Sequence, residues 1–447
     1  MSVPGFRTVE HTIECQHIRE YRRGTASQDD DVLHLAVKQY VPIRQVIKDD
    51  QKAVTIIAGH ALGIPKVSRG AKKGQGSRTD HGCQEAYEPL WSELLQLSQK
   101  NDFTIRGIWI ADMSNHGASG VLNEHVQGDD PSYFDHARDL LHMVNTFRAE
   151  IRRPIVGVAH SMGGTHLVSL ALMHPRLFSS LLLMEPMIQQ DVPPGPNAAM
   201  PSTLRADLWP SREEAEASFR KNRFFRALDP RVLDTLLTYS LRPTPTAVYP
   251  DTKDSYTLTT SKHQEAWSYL RPNFHPQSHD LGSGDQPSLA ERLLHPDADY
   301  HWHWAYLFFR PEIGMVFEQL PHLRPPVLYM IGTKSWMGTQ DMIDQKLRRT
   351  GTGLGGSGGV AAGRVKKHIF EGYGHMFPLE HVAAAAGALA KQVGVSLGEW
   401  RAEEQSLAAH DSLKSDRGGL VVSRTWIENV RKAGTERRPI RQGKAKL

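Results

Sequence analysis

One stretch limits the folds open to this chain more than any other: Pro154-Ile155-Val156-Gly157-Val158-Ala159-His160-Ser161-Met162-Gly163-Gly164. Its β-branched run, Ile155 to Val158, reads as a buried strand. Thr165 to Met173 has a helical apolar pattern that stops at His174-Pro175. Between the two stands a serine framed by small residues. A strand that turns sharply into a helix strains the backbone of the turn residue and brings two backbones close together, so its neighbours must be small. Ala159 and Gly163 supply that space on either side of Ser161, and Gly164 adds more. The pattern is that of a nucleophile elbow, with alanine where the first glycine usually stands. The plainer alternative is a buried serine in an ordinary strand–helix unit.

Alternation of strands and helices surrounds this stretch. Val32 to Pro42 alternates apolar and polar and predicts an antiparallel edge strand. Ala53–Ala58, Ile105–Ala111, Leu181–Met184, Val327–Ile331 and Arg364–Phe370 read as strands, and Pro89–Gln99, Tyr133–Arg148 and Ala383–Val393 as helices. Such alternation predicts an α/β fold, a mostly parallel central sheet with helices on both faces. It breaks between Ile188 and Leu323, which is Pro-rich, aromatic and helical in pattern, with segments at Glu213–Phe225, Arg231–Tyr239 and His301–Leu320. An inserted helical block predicts a cap over the carboxyl edge of the sheet, where open α/β sheets bind ligands. The expected organisation is an N-terminal extension (1–31), a core (32–187 and 322–405), a helical cap (188–321) and a basic tail (406–447) with one helix around Trp426.

Composition excludes several functions. The chain has 447 residues, 53 Lys and Arg against 49 Asp and Glu, and 39% apolar residues. That balance is too even to argue for nucleic acid. The two cysteines do not make a disulfide framework. No apolar run reaches membrane-spanning length and Met1 to Glu20 lacks an apolar signal core, so neither a span nor a secretory signal is expected. From Asp411 onward ten basic residues stand against four acidic ones. That tail ends Ala445-Lys446-Leu447, one residue from the peroxisomal Ser-Lys-Leu signal, so a peroxisomal import receptor is an expected partner. His301-Trp302-His303-Trp304 lacks further ligands at metal spacing and is expected to pack in the cap. No metal and no cofactor are expected. The basic stretch Lys66–Arg78 reads as a solvated loop, with a phosphate-bearing substrate as its functional alternative.

A serine that attacks a carbonyl needs a base, an orienting acid and oxyanion donors. In a strand–elbow–helix architecture these come in the order serine, acid, histidine. His375 follows the last predicted strand and is flanked by Gly372 and Gly374, which free the loop to bring an imidazole to the serine. The usual place of the acid, after Val327–Ile331, holds Gly332-Thr333-Lys334-Ser335-Trp336 and no carboxylate. Glu185, at the end of the preceding strand, opens on the same sheet edge and has the reach; it is favoured over Asp341, which reads as a helix-start residue. The expected oxyanion donors are the backbone N–H groups of Met162 and of Ala61, with Leu62 next. Asp112 to Gly117 is expected to be a turn that shapes the pocket.

These residues resemble the α/β-hydrolase superfamily. Within it the chain is similar to a fungal group, the toxin-biosynthesis hydrolases and the peroxisomal acyl-CoA hydrolase of mycophenolic acid biosynthesis. The resemblance is carried by Gly63-Ile64-Pro65-Lys66, Glu85-Ala86-Tyr87-Glu88-Pro89-Leu90-Trp91, Trp109-Ile110-Ala111-Asp112, His116-Gly117-Ala118-Ser119-Gly120, the elbow, Glu185-Pro186 and Gly374-His375-Met376-Phe377-Pro378. The chain departs from it at Val67–Gln84, which splits two of these motifs. The resemblance implies a serine hydrolase that acts on a small acyl substrate, CoA-linked in the favoured reading. Two alternatives stand beside it: a carboxylester or lactone hydrolase with the same triad, and a catalytically silent ligand-binding protein.

Overall fold

The computed structural model describes residues 3–45, 47, 49–62, 84–190, 199–272, 289–297, 308–411 and 419–433. Eight strands form one sheet: β1 (Phe6–Glu14), β2 (His34–Pro42), β3 (Ala53–Gly59), β4 (Thr104–Ala111), β5 (Ile155–His160), β6 (Ser180–Met184), β7 (Val327–Gly332) and β8 (Val365–Phe370). Their order is β1-β2-β4-β3-β5-β6-β7-β8. The pairings from β4 to β8 are parallel, and β1·β2 and β2·β4 are antiparallel. The expected mostly parallel sheet is therefore present.

The expected edge strand is not at the edge. β1 pairs along β2 from Phe6↔Pro42 to Glu14↔His34, while the other side of β2 pairs with β4. Alternation reports one wet face, which an interior antiparallel strand can have as well. In contrast β3, β5, β6 and β7 are buried along their whole length. Helices Tyr133–Thr146 and Met162–Met173 cover this centre. Leu140, Met143, Leu167 and Leu170 pack there with Ile57, Leu183 and Tyr329 of the strands. Each such side chain contributes about 1.5–3 kcal/mol on burial.

Between β6 and β7 the described residues form helices Ala199–Leu204, Arg212–Lys221, Pro230–Tyr239, Lys262–Tyr269, Leu289–Leu294 and Glu312–Gln319. The same segment holds strands that periodicity did not suggest. Leu208–Trp209, Tyr256–Leu258 and Leu241–Pro243 make a three-stranded sheet, and Arg271–Pro272 pairs with Phe308–Phe309. This pairing, followed by Pro311 as a helix cap, keeps His301–Leu320 from being one helix. His301–Trp304, Lys66–Arg78 and the terminal tripeptide lie outside the described residues. The helix expected at Ala383–Val393 runs from Val382 to Asp411. Gly394 does not end it: a Cβ there would meet the carbonyl of Asn101 at 2.3 Å, so this glycine serves close packing. Met1–Leu397 is one compact unit. Gly398–Leu447 is a second, which contains the helix Arg424–Ala433 near Trp426.

Candidate active site

Ser161 stands between β5 and the helix Met162–Met173 with φ 54° and ψ −120°. A non-glycine residue in that region is strained and is held there by its surroundings. Its N–H donates to Met184 O (2.9 Å), and its own carbonyl accepts from Gly164 N (3.0 Å) and Met187 N (2.9 Å). The two backbones do nearly touch, because a Cβ on Gly163 would meet Gly59 O at 2.3 Å. Gly164 makes room for Pro186, whose Cβ lies 2.6 Å from where a Cβ on Gly164 would stand. The glycines after the serine thus serve two different strand ends.

Glu185 follows β6 and also has positive φ, 51°. It is fully buried. Its Oε1 accepts from Gly332 N at 2.6 Å, and its Oε2 accepts from the Ser335 hydroxyl. Oε2 lies 3.1 Å from His375 Nδ1, and His375 Nε2 lies 3.0 Å from Ser161 Oγ. The three residues, 190 and 24 positions apart along the chain, form one hydrogen-bonded run. Asp341 is not part of it: its carboxylate faces Gln345 and Arg348 of its own helix. The loop after β7 supplies donors to the carboxylate instead of an acid. Position 332 also has no space for a side chain, since a Cβ there would meet Tyr373 O, in the histidine loop, at 2.3 Å.

Ala61 was expected to offer a backbone N–H to the oxyanion. Its N–H donates to the Tyr87 hydroxyl at 3.1 Å. Leu62 is the next amide on that loop. Met162 opens its helix, so its N–H belongs to the first turn, whose amides have no partner within the helix. Leu62, Met113, Tyr133 and Met162 form a small apolar cluster, against which Tyr269 and Ile313 of the inserted segment pack. Asp112 accepts from Gln84 N, Gln84 Nε2 and Ala118 N and holds its loop together.

Four contributors escaped the sequence reading: Ser335, Trp336, Tyr87 and His160. The Trp336 and His160 rings flank His375, each with its centroid 5.3 Å away. Only His160 carried a local signal, a polar residue ending an otherwise apolar buried strand.

Burial dominates the electrostatics. Desolvation lowers the pKa values of the fully buried His60, His116, His136, His160 and His166, His116 and His160 to about 3. Lys346 is also buried, and desolvation pushes it down to about 8 against the pull of the Glu185 carboxylate. Among the described residues no group of three or more His, Cys, Asp and Glu could hold a metal ion. Among them too, no helix is long and apolar enough to cross a membrane.

The model of the alpha/beta hydrolase family matches residues 79–388. The chain is 37% identical to the type I acyl-CoA thioesterase mpaH of Penicillium brevicompactum, with all of both chains covered. It is 27% identical to the abhydrolase domain-containing protein AFT2-1 of Alternaria alternata over 54% of this chain and 83% of that one. Among solved structures, the peroxisomal alpha-beta-hydrolase Lpx1 of Saccharomyces cerevisiae has the same fold, with a TM-score of 0.64 over 94% of this chain and 100% of that one at 15% identity. The chain is a hydrolase and belongs to the alpha/beta hydrolase family.

Proposed function

We propose that this chain is a serine hydrolase that cleaves an acyl-CoA thioester of a small metabolite to the free acid and CoA. The carrying observation is the unbroken run Ser161 Oγ, His375 Nε2, His375 Nδ1, Glu185 Oε2, at 3.0 and 3.1 Å. Ser161 Oγ attacks the thioester carbonyl while its proton passes to His375 Nε2. Glu185 keeps the proton on Nδ1 and stabilises the imidazolium. The N–H groups of Met162 and Leu62 hold the oxyanion, with Ala61 excluded by its bond to Tyr87. As the tetrahedral intermediate collapses the C–S bond breaks, and His375 returns its proton to the departing thiolate. Water then attacks the acyl-serine with His375 as base, which frees the acid and restores Ser161. The apolar cluster beside Met162 and Leu62 suits an apolar acyl group. Segment 188–321 serves as the cap.

The choice of thioester over ester follows the relative of known type, a type I acyl-CoA thioesterase. An acyl-CoA and the ethyl ester of the same acid, compared as substrates, test it; equal kcat/KM for both would refute the preference. Ser161→Ala is expected to lower turnover on the order of 10⁴–10⁶-fold, and unchanged turnover would refute the triad. Peroxisomal import through Ala445-Lys446-Leu447 belongs to the same proposal; removal of Leu447 from a fluorescent fusion should leave it outside peroxisomes.

A further inference from the structure

Next to the triad runs a second hydrogen-bonded chain. Ala61 N–H donates to the Tyr87 hydroxyl oxygen at 3.1 Å, and that oxygen lies 2.7 Å from His160 Nδ1. His160 Nε2 lies 2.9 Å from the backbone carbonyl oxygen of His375. Ala61, Tyr87 and His160 are all buried. A carbonyl can only accept, so Nε2 must carry a proton. Burial and the neighbouring His375 hold His160 neutral down to about pH 3, so Nδ1 is bare and accepts the Tyr87 proton. Every donor and acceptor then has one consistent direction: Ala61 N–H to Tyr87 O–H to His160 Nε2–H to His375 C=O.

This chain joins three parts of the site that lie far apart in sequence: the loop after β3, the residue just before the nucleophile, and the backbone of the base. We propose that Tyr87 and His160 are positioning residues, a proton-ordered strut that fixes the base over Ser161 and commits the Ala61 amide so that the next amide on its loop faces the oxyanion. The proposal rests on the triad reading above. The strut touches no reacting atom. It acts because a base displaced by as little as about 1 Å loses on the order of 10²-fold in rate, and water does not replace a buried partner at this depth.

The test uses the full-length chain, with p-nitrophenyl butyrate hydrolysis for steady-state constants and a fluorophosphonate for the labelling rate. Tyr87→Phe removes the hydroxyl that bonds Ala61 and His160 and should lower kcat and labelling about 10-fold, and His160→Leu on the order of 10²-fold, with KM within about two-fold. His160→Gln, which keeps an acceptor and a donor on one side chain, should recover most of that loss. The double variant Tyr87→Phe/His160→Leu should be no slower than His160→Leu, because loss of the imidazole already cuts Tyr87 off from His375. Wild-type kcat in Tyr87→Phe, independent and additive losses, or a His160→Gln no better than His160→Leu would each overturn it. If His160→Leu does not fold, the kcat of Tyr87→Phe decides alone. Ser161→Ala separates the two readings. A live Ser161→Ala removes the triad; a dead one beside fully active Tyr87→Phe and His160→Leu removes only the strut.

Discussion

At the carboxyl edge of the sheet, polar side chains are held mainly by backbone. Glu185 receives Gly332 N–H and the Ser335 hydroxyl, itself anchored by Met337 N–H, and Ser161 is pinned through three main-chain bonds. Between β6 and β7 the buried arginines pair with carboxylates. Arg205 pairs with Glu265 at 2.7 Å and Arg310 with Glu312 at 3.0 Å. Arg271 binds Asp130 in two places (2.6 and 2.9 Å) and Asp297 at 2.7 Å, with its guanidinium stacked 3.5 Å over the ring of Tyr21. The backbone-held region contains two non-glycine residues at positive φ, Ser161 and Glu185. In the ion-paired region, loss of one partner leaves a buried charge bare. Lesions in the two regions should therefore separate: one costs rate, the other costs stability.

The largest expected effect is on rate. Glu185→Gln should lower kcat on the order of 10³–10⁴-fold, with a urea midpoint close to wild type. Steady-state kinetics with parallel urea unfolding check this, and a variant that unfolds early without losing kcat would merge the two regions. Next comes stability. Arg271→Met should cost about 3–5 kcal/mol, since it strands the Asp130 and Asp297 carboxylates, while the folded fraction keeps its fluorophosphonate labelling rate. An unfolding curve that matches wild type would show that the pairs do not hold the segment.

Lys346 sharpens the contrast, as a buried lysine that feels the Glu185 carboxylate at the backbone-held edge. Its folded pKa of about 8 lies below its ordinary 10.5. Between those values the folded state has released the proton that the unfolded state still binds, so stability rises with pH across that window. The stability difference between wild type and Lys346→Met should shift toward the wild type by about 3 kcal/mol from pH 8 to pH 10.5. Urea titrations at three pH values measure it; a difference independent of pH would mean that Lys346 keeps its ordinary pKa in the fold.

Legibility in the sequence followed locality. Ser161 and its glycines form one contiguous signal, because the elbow's steric demands fall on adjacent residues. His375 was readable from its position after a strand and its glycine neighbours. Glu185 came from an absence, the lack of a carboxylate between Gly332 and Trp336, plus knowledge that neighbouring strand ends open on one edge. The place of β2 inside the sheet was not readable, since alternation cannot tell one antiparallel neighbour from two. Short strands such as Leu208–Trp209 carry too few residues for a period to show.

The oxyanion loop marks the boundary. By itself the sequence determined that a serine would sit at a strand–helix turn, in a parallel sheet, with a histidine and a carboxylate delivered to the same edge, because strand direction and turn sterics are local. Only the tertiary structure decided that the Ala61 amide bonds to the Tyr87 hydroxyl, because that depends on which distant side chain arrives beside it. An amide donates one hydrogen, and its partner can come from anywhere in the chain.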